Sequence, residues 1–414
     1  MNEKNIFTYN LTNKLFDNDI ELLPSVTELF ELELAFLKYK SLQTKDLVNR
    51  AAYIKSVKGN STIHFKTNTF KPSFEILSRS SKTKSYFENG AFSTGYATHS
   101  LFPYRGKFHP QLIKSLLNII GIKKGDLVLD PMCGSGTTNI EAALLGINSI
   151  AVDISPFCRL MTKTKYESLK AEKEELEHLL NKKDKLFTFF SSKKKYDSKK
   201  NIQLFESETN YYLTLLAFLD SMGYFNRTKS STHKELFNRV LERYIYTVLN
   251  YLENPFYDKD NLGNVVVSKE SSAMDIKFEE DTFDGIITSP PYSFAIDYAS
   301  NDKDQLEYLG LDVEKLKGKM IGLRGKNKTE RLENYFEDMR TVCVEIARVL
   351  KPDKYAVIII GSNTNQTGGI RLEDKIIKFC EGANLKLAKS IVKPIKGLRN
   401  TMKDEYVLFF KKMI

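Results

Sequence analysis

The sequence predicts an α/β protein: a mostly parallel sheet with helices on both faces, carrying an N-terminal module and a helical insertion. Three observations predict it. Short runs rich in Val, Ile and Leu alternate with amphipathic stretches from Gly125 onward, and strands buried on both faces read as such near-continuous apolar runs. One Gly-rich turn joins a strand directly to a helix. A polar stretch with helical periodicity, 162–264, interrupts the alternation.

The first unit reads DLVLD (126–130), then PMCGSGT, then TNIEAALLG closing on Gly146, then SIAVD (149–153): strand, turn, helix, strand. Later strands are DGIIT (284–288), YAVIIIG (355–361), LKLAKSIV (385–392) and YVLFFKK (406–412), with the helix YFEDMRTVCVEIARVL (335–350) between the first two. In the N-terminal module, SVTELFELELAFLKYKSL reads as a helix capped by Ser25, and STIHFKTNTF (61–70) alternates like a strand. Within 162–264, Leu236, Val240, Tyr244, Ile245, Val248, Leu249 and Leu252 recur at helical spacing. Lys182, Lys183, Lys185, Lys193, Lys194, Lys195, Lys199 and Lys200 mark an expected exposed loop. The texture divides the chain into 1–92, 93–161, 162–264 and 265–414.

Composition narrows the function classes. The 414 residues are 42% hydrophobic and carry 62 basic against 52 acidic side chains, a net charge of +10 that favours an anionic partner, nucleic acid first. The sequence shows no apolar run long enough to span a bilayer, and acids occupy the place of a signal-peptide core, so a cytoplasmic protein without a membrane partner is expected. Cys133, Cys158, Cys343 and Cys380 form no C-x-x-C pair and the five histidines show no ligand spacing, so no metal site is expected.

Chemistry concentrates in two turns. Asp130-Pro131-Met132-Cys133-Gly134-Ser135-Gly136-Thr137 follows a strand and opens a helix, which lets a ligand approach the backbone closely. It lacks the lysine of a phosphate loop and the third glycine of a dinucleotide fingerprint. Asp153 ends the next strand, where an acid accepts both ribose hydroxyls. The ligand suggested is a nucleoside without polyphosphate, bearing a cationic group that tolerates Asp130. The second turn, Thr288-Ser289-Pro290-Pro291-Tyr292, is stiff because two prolines fix φ and remove two donors. Ser289 Oγ and the Pro290 carbonyl are acceptors for an exocyclic amine, and Tyr292 offers a ring face to a base.

At these motifs the sequence resembles the S-adenosylmethionine-dependent amino-methyltransferases of nucleic acids. DPMCGSGTT is similar to the family's cofactor motif and TSPPY to its catalytic motif in the Ser form, in that order. THSLFPYRGKFHPQL (98–112) is similar to the segment that lies against the methionine part of the cofactor, which adds Lys107 and Phe108. The resemblance covers residues 98–160 and about 265–414. It implies a Rossmann-like methyltransferase fold and S-adenosyl-L-methionine held by Asp130, Pro131, Met132, Cys133, Gly134, Gly136, Thr137, Asp153 and Ile154. It also implies catalysis at Ser289, Pro290, Pro291 and Tyr292. The acid that meets the adenine aligns with Ser272, so Asp275, three residues on, is named in its place. The implied activity is site-specific methylation of DNA at cytosine N4. The alternatives are adenine N6, guanine N2 of tRNA, or a non-catalytic DNA-binding protein. DNA is the implied partner and a cognate restriction endonuclease a candidate one. The basic stretches within 162–264 and 315–331 are candidate phosphate contacts.

Overall fold

Seven strands form the central sheet: β4 (Leu127–Asp130), β5 (Asn148–Val152), β6 (Val265–Ser268), β7 (Phe283–Thr288), β8 (Leu350–Gly361), β9 (Leu385–Pro394) and β10 (Asp404–Lys412). A computed structural model of the chain describes residues 6–17, 19–72, 94–104, 106–192, 204–227, 231–292, 297–361, 367–395 and 404–414. The spatial order is β6-β5-β4-β7-β8-β10-β9, with β10 antiparallel to both neighbours and the other pairings parallel. This is a Rossmann-like α/β sheet. Its order reverses between β4 and β7, the switch point at which open α/β sheets bind ligands beyond their strand ends.

Alternate residues of one strand bury in different layers, as a period of two requires. Val357 and Ile359 of β8 face the core shared with the Pro110–Ile119 helix. Ala356, Ile358 and Ile360 face Met339, Val342 and Ile346 of the Lys328–Val349 helix. The N-terminal residues join the first of these cores. Phe30, Leu34 and Ala35 of the Leu29–Ser41 helix pack with Leu112, Ile113 and Leu116, and the buried Lys38 ammonium donates to Ser115 Oγ at 3.0 Å. A three-stranded sheet, β1 (Ile20–Leu22), β2 (Ile54–Val57) and β3 (Asn60–Ser61), completes this region.

Between β5 and β6 the chain makes helices Lys173–Asn181, Lys183–Ser191, Glu208–Arg227 and His233–Glu253, packed around Leu176, Leu186, Phe190, Leu216, Phe218, Phe237 and Ile245. Buried Asp220 accepts hydrogen bonds from Arg243 and from the Tyr244 hydroxyl, which itself accepts from the Phe102 backbone at 2.8 Å. That contact fastens the helices to the segment before β4.

Local structure departs from the sequence expectations at three places. STIHFKTNTF forms a helix, Ile63–Thr69, instead of a strand, because Thr62 caps it through the Phe65 amide and His64 and Asn68, one turn apart, bond each other in the interior. The start of the Leu29–Ser41 helix moves from a cap at Ser25 to one at Glu28, because the Glu31 carboxylate accepts from the Thr27 and Glu28 amides. The lysine-rich segment is helical over Lys183–Ser191, where Leu186 and Phe190 bury a common face and Lys183 pairs with Glu242. Lys193, Lys194, Lys195, Lys199 and Lys200 lie outside the described residues. β6 is a short edge strand that no pattern in the sequence singled out.

Candidate functional site

The Gly-rich turn leaves β4 at Asp130 and enters the Thr137–Leu144 helix through Gly136. Gly134 and Gly136 have φ of +51° and +78°, and a Cβ on Gly136 would sit 2.7 Å from the Thr162 side chain. Only glycine fits there. Three buried or wall-forming charged groups hold the turn. Asp130, 1% exposed, accepts from the Met132 amide at 3.2 Å and from Thr288 Oγ1 at 2.9 Å, which ties the end of β4 to the end of β7. Burial pushes its carboxyl up to about 7, against the pull of these hydrogen bonds. Asp153 accepts from the Gly134 amide at 2.9 Å and the Ser155 amide at 2.8 Å. Buried Lys165 donates to the Ser135 carbonyl at 3.0 Å, and burial depresses its ammonium well below the ordinary lysine range.

The 98–112 segment packs over the same turn. Lys107 donates to the His99 carbonyl at 2.8 Å, and burial brings its ammonium down to about 8. His99, fully buried and pushed down to about 4, meets Glu141 of the helix behind the turn at 2.8 Å.

Beyond β7, Pro290 is buried and Ser289 and Tyr292 are half-buried. The Ser289 hydroxyl donates to Tyr292 Oη at 3.4 Å, and Tyr292 donates to Glu405 Oε1 of β10 at 3.0 Å. Lys393 of β9 closes on the other Glu405 oxygen. Burial, and then the Glu405 charge, hold the Tyr292 phenol well above its ordinary range.

Both turns open into one cavity of about 730 Å³, within the roughly 300–1,000 Å³ span of small-molecule sites. Pro131, Met132, Cys133, Gly134, Thr137, Asp153 and Ile154 line one end, with Lys107 and Phe108. Ser289, Pro290, Pro291 and Tyr292 line the other, with Lys393 and Glu405. Asp130 and Gly136 are not on the wall: they act beneath it, as the hydrogen bonds and close approach above describe. Asp275 departs from its expected role. Its carboxylate is 62% exposed and pairs with Lys277 at 2.6 Å, because a bridge between Ser272 and Asp275 turns the chain so that Ser272, Ala273 and Met274 line the cavity instead. Cys133 is buried, which pushes its thiol up and away from nucleophilic reactivity. Sequence reasoning missed Lys165, Tyr104, Tyr298, Lys393 and Glu405. Tyr104 lay inside a motif and Tyr298 just past one, whereas Lys165 comes from a helix, and Lys393 and Glu405 from strands, outside both turns.

Across the cavity, Asp153 and the glycine turn at a helix start stand at one end, and the proline turn with Tyr292 and Glu405 at the other. Comparison with known proteins agrees with this arrangement. A family model of an RMKL-like methyltransferase domain matches residues 100–194, and a DNA methylase model, of the N6/N4 methyltransferases, matches 283–413. The chain is 26% identical to the type II methyltransferase M.BsoBI of Geobacillus stearothermophilus, over 58% of this chain and 59% of that protein. It is 22% identical to the type II methyltransferase M.MjaII of Methanocaldococcus jannaschii, over 70% of this chain and 75% of the relative. A tRNA (guanine(10)-N2)-dimethyltransferase of Methanothermobacter thermautotrophicus is 43% identical over 13% of this chain and 16% of its own length. With the motifs on both sides of the switch point, these matches make the chain similar to the N6/N4 methyltransferases of DNA over residues 283–413, and to type II methyltransferases over more than half of its length.

Proposed function

We propose that the protein is a site-specific DNA methyltransferase that moves a methyl group from S-adenosyl-L-methionine to the exocyclic N4 amine of cytosine. The observation that carries this reading is the single cavity joining the Gly-rich turn and Asp153 to Ser289-Pro290-Pro291-Tyr292.

S-adenosyl-L-methionine is the cofactor of this family, and the residues present suit it. Asp153 meets ribose hydroxyls, Ile154 and Met132 offer apolar surface to the adenine, and the Gly134 backbone leaves room for close approach. Phe108 and Lys107 flank the amino-acid end. When bound, the cofactor supplies an activated methyl on sulfur.

The rest is work for this chain. An exocyclic amine is a weak nucleophile because its lone pair is delocalised into the ring. Acceptors at Ser289 Oγ and the Pro290 carbonyl take its two hydrogens, localise the pair and aim it. The base cannot be reached inside a duplex, so it flips out and stacks on Tyr292, at a cost of a few kcal/mol. Lys315, Lys319, Lys326 and Lys328 are exposed, and Lys319 lies at the cavity wall, which suits that stretch to DNA phosphates.

DNA is preferred over tRNA because the type II methyltransferase matches extend over 58% and 70% of this chain, whereas the tRNA methyltransferase match covers 13%. The test is methylation of duplex DNA and of tRNA with labelled cofactor, followed by nucleoside digestion and mass spectrometry. N4-methylcytosine is the expected product. N6-methyladenine changes the target base, and N2-methylguanine in tRNA alone overturns the DNA reading.

A further inference from the structure

We propose that Glu405 is a positioning residue that makes the Ser289 hydroxyl a hydrogen-bond acceptor toward the target amine, acting through Tyr292, and receives the proton that the amine releases. The inference rests on the methyl-transfer reading and adds to it a group from the far side of the sheet, 113 residues from Tyr292.

The argument begins with polarity. A carboxylate only accepts hydrogen bonds, whereas a hydroxyl donates one and accepts others. Glu405 Oε1 accepts from Tyr292 at 3.0 Å, so the Tyr292 hydrogen is committed to it. The Tyr292 oxygen is then an acceptor, and the Ser289 hydrogen turns to it at 3.4 Å. What Ser289 has left for the cavity is lone pairs. Reversing the chain would aim the Ser289 hydrogen at the hydrogens of an amine, where it repels instead of localising the nitrogen pair. Apo catalytic contacts of this length tighten when the site fills.

Glu405 also pairs with Lys393, its register partner across β9 and β10. A purely structural cross-strand pair would need only that contact. Here the second carboxylate oxygen is given to the tyrosine of the catalytic motif, and all four groups, Ser289, Tyr292, Glu405 and Lys393, stand at the cavity wall. The titratable groups facing Glu405 are Lys393 on β9, Tyr292 and Tyr298 beyond β7, and His109 at the start of the Pro110–Ile119 helix. Burial lowers the His109 imidazole below its ordinary range.

The same chain is a route for a proton. The amine nitrogen forms its bond to the methyl carbon with its own electron pair, while sulfur keeps the pair of the S–C bond that breaks. Nitrogen is left cationic, with one proton too many. That proton passes to Ser289 Oγ as the serine's own proton moves to Tyr292 Oη and the tyrosine's to Glu405 Oε1. Both hydroxyls end neutral and Glu405 ends protonated, 18% exposed at its side chain and able to return the proton to water. A cationic nitrogen attached to a heteroaromatic ring is a strong acid, so a carboxylate is base enough.

The test compares wild type, Glu405→Gln and Glu405→Asp in single-turnover methylation of duplex DNA, with cofactor and DNA affinities measured separately. Gln keeps the size and an acceptor oxygen but takes no proton. Its methyl-transfer rate is expected to fall on the order of 10²-fold with both affinities retained. The wild-type rate should lose activity along an acid limb that is missing in Glu405→Gln and returns in Glu405→Asp. A Glu405→Gln protein with weaker binding but the wild-type pH profile overturns the proposal in favour of a structural pair. A second readout needs no turnover: in protein labelled at tyrosine 13Cζ, the resonance that disappears in Tyr292→Phe should titrate at lower pH in Glu405→Gln, since a nearby negative charge is gone. No change in that titration overturns the hydrogen-bond chain. A wild-type protein that moves no methyl to DNA, yet shows the Tyr292 change, overturns the methyl-transfer reading and the proton route while the polarity assignment stands.

Discussion

The two turns that meet at the cavity are built on opposite plans. The turn after β4 is shaped by glycine backbone in the left-handed region and held from beneath by buried charged groups, Asp130 and Lys165, with Asp153 beside it. The turn after β7 is anchored to the same Asp130 only through Thr288, and beyond that Pro290 and Pro291 fix its backbone locally. Its side chains are governed from a distance instead, by Glu405 and Lys393 on strands more than 100 residues later. A binding turn that must hug a ligand thus requires flexible residues and a rigid bed. The turn proposed to react is stiff in its backbone, and its side-chain polarity rests on the hydrogens of two hydroxyls.

This contrast predicts that the turns fail differently. The largest effect is expected at the proline turn: Ser289→Ala removes one acceptor and keeps the backbone, so single-turnover methyl transfer should fall about 10²-fold while calorimetric cofactor affinity stays unchanged. Equal losses in both would mean that the two turns are not functionally separate. At the glycine turn the reverse holds. Asp153→Ala should weaken cofactor binding by about 1.5–3 kcal/mol, the scale of charged hydrogen bonds, and unchanged affinity in a folded variant would remove Asp153 from the cofactor site.

Smaller effects sharpen the picture. Replacing Lys315, Lys326 and Lys328 together by Ala should flatten the salt dependence of DNA binding by nearly one unit of log–log slope for each phosphate that no longer meets a lysine. A slope identical to wild type would move the interface to another face. The smallest effect concerns the bed of the glycine turn. Asp130 has a folded pKa raised to about 7, above its unfolded value of about 3.9. The neutral acid therefore favours the folded state: the contribution is full below the unfolded value, is lost progressively as pH rises, and is gone above about 7. Denaturation of Asp130→Asn against wild type should show the variant gaining relative stability between those limits, and parallel curves would mean that Asp130 ionises normally.

The same contrast explains what could be read from the sequence. Both turns are short, contiguous and follow apolar strands, so Asp130 to Thr137, Asp153 and Ser289 to Tyr292 were legible as chemistry, and the parallel strands around them as an α/β sheet. Glu405 was not, because nothing local in DEYVLFFKK distinguishes a strand-end acid that solvates from one that meets a tyrosine of a distant turn. Lys165 was hidden for the same reason, since its partner is a backbone carbonyl that carries no residue identity. The reading of STIHFKTNTF failed because alternation outweighed a threonine cap and an i,i+4 pair. Asp275 was named as the nearest acid after the aligned Ser272, and the bridge between those two residues is enough to turn it outward.

The position of β10 bears on how the sheet is made during synthesis. It is the last of the seven strands to leave the ribosome, yet it lies inside the sheet, between β8 and β9. At about 5–20 residues per second, β8 waits several seconds after its emergence for the strand that pairs with it. Throughout that interval its open edge, lined by Val357, Ile358 and Ile359, is a template for pairing with another nascent chain. The delay also times the chemistry: Glu405 arrives with β10, so the acceptor turn acquires its polarity only when the sheet closes.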